Sequence, residues 1–252
     1  QMPACEWVSK SSGNFMVYRS AGQCPACARK TDFVSNSHWL RDNLLCEQCH
    51  SLPRERAFAH CLETFVPGWR SMVMHECSPA DRGISARMRR ECPGYIGSHY
   101  YPDVPRGTIH EGYRSEDLEA LTFADGSIDL HCHLDVLEHV NHPDRCFAEM
   151  ERTLRPGGKM LFTTPWYPHK AETERRAAYG PDGPILLYEA EYHGNPISAE
   201  GALVTFHYGQ NFADLILLWA PRCSVEMITL TDPAKGVLGP FREVFLVQKR
   251  HG

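Results

Sequence analysis

The sequence predicts an α/β protein, a mainly parallel sheet with helices on both faces, preceded by a small zinc-binding module. Two observations carry this. From residue 70 onward, strand-like and helix-like segments alternate, the pattern that crossover connections in a parallel sheet produce. Ahead of them, four cysteines stand at metal-ligand spacing in a segment too short to bury a sufficient core.

The cysteines are Cys24-Pro25-Ala26-Cys27 and Cys46-Glu47-Gln48-Cys49, with eighteen residues between the pairs. Each CxxC turn presents two sulfurs to one side of an ion, and the second turn completes a tetrahedron. Cys24, Cys27, Cys46 and Cys49 are therefore the expected ligands of a structural Zn2+, with no position open for substrate. The eighteen residues suffice for a hairpin cored by Phe33, Val34, Trp39 and Leu40, and metal binding would supply its folding energy. Cys5 and Cys61 fit no second set. A redox pair is the alternative, but a redox CxxC belongs at a strand–helix junction, and none is visible here.

Leu52, Phe58, Cys61, Leu62 and Phe65 recur at helical spacing, predicting a helix over 53–65 that Pro67-Gly68 ends. Arg54 and Arg56 on it read as a solvated charged face; the alternative is contact with the second domain or an anionic ligand. The expected division is 1–66, module and linker helix, and 67–252, the α/β domain.

In that domain the expected strands are 71–78, 94–101, 127–135 and 159–166, with an acidic loop at 115–123. Helices are expected at 81–92, 142–156 and 211–220. The helix at 142–156 carries Phe147, Met150 and Leu154 on one face and stops at Pro156-Gly157-Gly158. Two closing strands form an antiparallel pair. Ligands of such sheets sit beyond the carboxyl ends of the strands.

The stretch FADGSIDLHCHLDVLEHVNHPDRCFAEMERTLRPGGKMLFTTP, residues 123–165, resembles the second half of a class I S-adenosylmethionine-dependent methyltransferase of the type-11 group. An acidic loop, a strand leading to Leu137-Glu138-His139, a helix ending in Leu154-Arg155-Pro156-Gly157-Gly158 and a strand ending in proline come in the family's order. The match spans 71–165. The CxxC module resembles a subgroup in which the second pair is followed by a serine and two arginines, as in Ser51, Arg54 and Arg56. The resemblance implies a Rossmann-like methyltransferase sheet and S-adenosylmethionine as cofactor. It departs at the first motif, where His75-Glu76-Cys77-Ser78-Pro79-Ala80 replaces a glycine-rich turn, so the methionine end must be held differently. Carried over by position, it implies Glu76 at the cofactor's amino group, Ser78 in the turn, His99 at the ribose, Asp117 at the adenine amino group, Leu118 against the ring, and His133 nearby.

Three readings of the cluster at 131–142 stand side by side. His133 or His139 is a general base. Alternatively, Asp135, Glu138 and His139, at i, i+3 and i+4, bind a second divalent metal. In the third reading these residues only cap and pack. Residues 166–210 interrupt the alternation with glycine, proline and aromatics, as functional or disordered segments do. This insertion is expected to cover the crevice. Its Trp166, Tyr167, Tyr192, Asn195 and Tyr208 are expected to bind the methyl acceptor, with His193 and His207 as further catalytic candidates.

No run of apolar residues is long enough to span a membrane, and no signal peptide is visible. The cysteine count, an odd 11, argues for a reducing, cytoplasmic setting rather than a disulfide scaffold. The net charge of −5 argues against a general nucleic-acid binder. A small-molecule acceptor, a hydroxyl or amine of a sugar or secondary metabolite, is expected. The rivals are an RNA or protein methyltransferase using Arg29, Lys30, Arg41, Arg54 and Arg56 near the module, and a non-catalytic binding protein that has lost the cofactor.

Overall fold

The computed structural model describes residues 16–195 and 198–251; Cys5 lies outside them. In the module, β1 (Tyr18–Gln23) and β2 (Lys30–Ser35) form an antiparallel hairpin. After α1 (Leu40–Asn43), β3 (Leu45–Cys46) pairs with β2. Helix α2 (Pro53–Phe65) has the expected bounds. Pro53 opens it without costing a hydrogen bond, and the Glu55 carboxylate accepts from the Leu52 N–H at 3.1 Å.

The body follows as β4 (Met74–Cys77), α3 (Gly83–Glu91), β5 (Tyr95–His99), β6 (Ile109–His110), β7 (Tyr113–Ser115), β8 (Ile128–Leu134), α4 (Pro143–Thr153) and β9 (Leu154–Thr163). The insertion holds β10 (Glu174–Arg175), β11 (Ala177–Gly180), β12 (Gly183–Leu186), β13 (Tyr192–Asn195), β14 (Ser198–Leu203) and β15 (Phe206–His207). Then come α5 (Phe212–Trp219), β16 (Cys223–Ile228) and β17 (Val244–Lys249). The main sheet has eight strands in the order β16-β17-β9-β8-β4-β5-β7-β6. Strands β9, β8, β4, β5 and β7 are parallel, and β17 runs antiparallel between β9 and β16. The doubly wound expectation and the closing antiparallel pair are both met.

Alternation along the central strands sorts the core into two layers. Met74, Leu130, Leu161 and Val244 face α2 and α3, in one apolar cluster with Phe58, Leu62 and Trp69. Phe162, Phe245 and Met160 face α4 and α5, among Phe147, Phe212 and Tyr208. The first layer also contains Cys24, Phe33 and Cys46, so the module and the sheet share a continuous core. Gly236, at φ +65°, lies where a Cβ would stand 2.5 Å from the Phe33 ring. The loop before β17 therefore clamps the module.

Two expectations are corrected. Helix α4 stops at Thr153, and 154–158 already belong to β9, with a pairing irregularity between Ile128 and Leu130. Pro156 has no N–H for a helical bond, and Gly157 adopts φ +78°. The insertion, expected to be irregular, is built from two hairpins, β11 with β12 and β13 with β14, closed at its base by the antiparallel pair of β10 with β15.

Candidate active site and metal centre

The four module sulfurs converge. Cys24 and Cys49 lie 3.8 Å apart, Cys27 and Cys46 4.0 Å, and all four sulfurs lie within 4.8 Å of one another. A tetrahedron with metal–sulfur bonds of 2.3 Å has edges of about 3.8 Å, so the set fits zinc. The two CxxC turns are built alike. Ala28 N–H donates to Cys24 O at 2.7 Å and His50 N–H to Cys46 O at 2.8 Å. Ala28 and His50, each following a second cysteine, have φ of 60° and 55°. Ser51 Oγ lies 3.4 Å from Cys24 Sγ and 3.2 Å from Cys49 Sγ.

The arginines after the cysteines are not a solvated face, which corrects that expectation. Arg56 is fully buried, donates to the carbonyls of Ser51, Leu44 and Gly236, and lies over the Phe33 ring. Arg54 and Arg41 each reach an Asp135 carboxylate oxygen at 2.7 Å. Thr163 Oγ1 donates to the other oxygen at 2.8 Å. Module and α2 thus hold the residue that follows β8, in a left-handed conformation with φ 53°. Replacing Asp135 by alanine removes the buried carboxylate shared by Arg41 and Arg54, whose side chains are only 10% and 15% exposed, and leaves them the 40% exposed Asp42 as ion-pair partner. Leaving a buried charge wholly uncompensated costs about 3–5 kcal/mol, and Asp42 offsets part of that here. Urea unfolding should show the remaining loss; a change under about 1 kcal/mol, the scale of a solvated pair, would contradict it.

A cavity of about 630 Å³ lies beyond the carboxyl ends of β4, β5, β7 and β8, at the switch in strand order. Its floor includes Cys77, Ser78, His99, Asp117, Leu118 and Asp135, and its roof includes Tyr179, Tyr192 and 200–203. Ser78 has φ 56°, the conformation a glycine-rich turn would supply, and its N–H donates to Ser98 O at 2.7 Å. His99 is buried with Nδ1 unpartnered, and burial pulls its pKa below the ordinary value.

The structure brings Ser78, His99, Asp117, Leu118, His139 and Tyr192 to this cavity. Other expected residues lie elsewhere. Glu76 faces α3, its carboxylate accepting from Ser85 Oγ at 2.6 Å and Tyr95 OH at 2.7 Å. Burial pushes it up to about 7. His133 is buried, stacked on Phe162 at 4.6 Å, with neither ring nitrogen hydrogen-bonded. Burial pulls it down to about 3, and it is off the cavity wall. Tyr208 is a core residue, fully buried against Phe212, its hydroxyl donating to Leu137 O at 2.7 Å. Trp166 Nε1 donates to Gly209 O at 2.8 Å, and Tyr167 stacks on His207 at 4.3 Å. Neither lines the cavity. The Asn195 side chain lies outside the described residues. Tyr100, Asn141 and Tyr179 also line the cavity; nothing local in the sequence marked them.

Asp135 is excluded from the expected second metal set, because its carboxylate is taken by Arg41, Arg54 and Thr163. A histidine from the insertion stands there instead. His139 Nε2 lies 3.7 Å and His193 Nδ1 3.6 Å from Glu138 Oε1. Burial opposes ionisation of Glu138, but His139 and His193 outweigh it and hold the carboxyl below its ordinary range. His207 Nε2 donates to Glu191 Oε2 at 2.7 Å and lies off the cavity.

Strand order and the cavity at its switch point define a doubly wound α/β protein. The comparisons narrow this. A family model described as methyltransferase domain matches residues 101–162. An S-adenosylmethionine-dependent methyltransferase from Mesorhizobium loti superposes with TM-score 0.51 at 17% identity, covering 77% of this chain and 98% of its own. The YcgJ protein from Bacillus subtilis gives 0.50 at 11%, covering 78% and 99%. A complex between the Haloferax volcanii Trm112 methyltransferase activator and its methyltransferase gives 0.50 at 13%, covering 79% and 90%. No curated relative matches the chain. Residues 101–162 thus match a methyltransferase domain, within a chain that has the fold of the S-adenosylmethionine-dependent methyltransferase from Mesorhizobium loti. Among the described residues no helix is long and apolar enough to cross a membrane.

Proposed function

We propose that the body, 67–252, transfers a methyl group from S-adenosylmethionine to a small molecule, and that the module, 1–66, braces it around a structural zinc. The observation that carries this is the roofed cavity of about 630 Å³ at the strand switch point, a size suited to a cofactor and a small acceptor. When bound, the cofactor supplies an electrophilic methyl carbon. The residues around it would hold and orient. The Ser78 turn lets the backbone approach the methionine end. His99 Nδ1, buried and unpartnered, suits a ribose hydroxyl. Asp117 suits the adenine amino group, and Leu118 the ring. His139, Asn141, Tyr179 and Tyr192 form the acceptor end. The Nδ1–H of His139 donates to Leu203 O at 2.9 Å, so Nε2 is the atom it offers.

Two observations weigh against a macromolecular acceptor. Hairpins roof the cavity, and the basic stripe is broken up: Arg41, Arg54 and Arg56 are turned inward, leaving Arg29 and Lys30 exposed. Four of the ten described cysteines converge as a candidate thiolate zinc site, an arrangement that suits a reducing, cytoplasmic setting.

Titration calorimetry with S-adenosylhomocysteine tests the proposal. The protein should bind it, and Asp117→Ala should weaken binding at least about tenfold, the worth of a hydrogen bond to a charged group. Absence of binding at millimolar ligand would turn the reading toward a non-catalytic protein.

A further inference from the structure

We propose that Glu138, His139 and His193 form a second metal site, for one divalent cation of the zinc, iron or cobalt type, on the acceptor side of the cavity. The three ligand atoms lie within 4.8 Å of one another. Glu138 Oε1 is buried, has no hydrogen-bond partner, and sits 3.7 Å from His139 Nε2 and 3.6 Å from His193 Nδ1. Ligands bound at about 2.1 Å around a tetrahedral ion stand roughly 3.4 Å apart. The two spacings to Glu138 are therefore a few tenths of an ångström from those of a filled site, and the third pair lies within 4.8 Å. An unpartnered buried carboxylate oxygen is costly, and a cation between these atoms would remove that cost.

The atoms behind the ligands point the same way. A carbonyl can only accept, so the bond to Leu203 O puts the His139 proton on Nδ1 and leaves a lone pair on Nε2. Glu191 Oε1 lies 3.2 Å from His193 Nε2; a carboxylate there places the proton on Nε2 and the lone pair on Nδ1. Thr164 Oγ1 donates to Glu138 Oε2 at 3.1 Å, turning Oε1 to the shared centre. Each ligand thus has its far atom tied down, the arrangement by which outer partners orient metal-binding histidines and carboxylates. Two imidazoles and one carboxylate suit a borderline divalent cation and leave coordination positions open. His139 is also part of the cavity wall, so an oxygen of a molecule held in the cavity can complete the sphere. This last role rests on the methyl-transfer reading; the site itself does not.

The test is metal stoichiometry of the full chain loaded with Co2+. Thiolate-to-cobalt absorption reports the four-cysteine site, which the histidine–carboxylate site does not share. Wild type should bind two ions. Glu138→Gln and His193→Asn should each bind one, with thiolate absorption unchanged, which also shows that the variants fold. Glu191→Gln should weaken the second ion about 10- to 100-fold. One ion in wild type, or two retained in both Glu138→Gln and His193→Asn, would overturn the proposal. Binding of S-adenosylhomocysteine, measured on the same samples, reports the methyl-transfer reading separately.

Discussion

Cys46→Ser is expected to lose the module's metal and to destabilise the whole chain, not the module alone. Cys46 is fully buried at the end of β3, where it pairs in register with Phe33. Structural zinc contributes on the order of 10 kcal/mol to the folding of small zinc modules, and serine does not replace a thiolate ligand. Here the module shares one apolar cluster with Met74, Leu161 and Val244 of the sheet, and its arginine Arg41 holds Asp135 beside the cavity. Loss of the metal should therefore lower the thermal midpoint of a single transition and weaken S-adenosylhomocysteine binding together. Metal analysis, calorimetric unfolding and ligand titration on one preparation would check this. Unchanged metal content and midpoint in Cys46→Ser would reject a structural zinc at this site.

The second large effect concerns acid. His75 and His131 touch through their Nδ1 atoms at 3.0 Å, with Ser98 Oγ and Thr153 Oγ1 at the outer ends, both at 2.8 Å. His133 lies one pleat further along β8, unbonded. All three are buried, and burial holds His75 and His133 at about 3 and His131 well below its ordinary value. The unfolded chain takes up these protons below pH about 6.5, where the folded chain does not. Stability is thus unaffected above that pH and falls as pH drops from about 6.5 toward 3. At pH 5 the loss from His75 and His133 together is about 4 kcal/mol, at about 1.4 kcal/mol per pH unit per group. Urea midpoints measured against pH should show this slope. His133→Phe should lessen it by about one proton's worth without destabilising at pH 8, because no hydrogen bond is lost and Phe162 offers a stacking face. An unaltered slope would mean that His133 is already protonated in the folded state.

What could be read along the chain was what neighbouring residues decide. The bounds of α2 were legible because Pro53, Glu55 and the spacing of Phe58, Leu62 and Phe65 act locally. The sulfur set was legible because each CxxC turn fixes two ligands by itself. The parallel sheet followed from the alternation of segments. Arg54 and Arg56 were misread because a helical charge looks the same whether it meets water or a buried aspartate; Asp135 and Gly236 decide it from far along the chain. Tyr208 carries the same phenol as Tyr192, yet one hydroxyl is spent on Leu137 O inside the core and the other ring stands over the cavity.

The cluster after β8 shows the division most sharply. The residues Asp135, Glu138 and His139 were visible as a group, and their sequence spacing suggested a shared face. Folding separated them: Asp135 turned to two arginines of the module and α2, while Glu138 and His139 met His193, carried in by the β13–β14 hairpin. The sequence by itself determined the sheet, its helices and the two CxxC turns of the module, because periodicity and short turns are local. Only the tertiary structure decided which polar groups share a buried space, because desolvation and pairing depend on neighbours that the chain supplies from a distance.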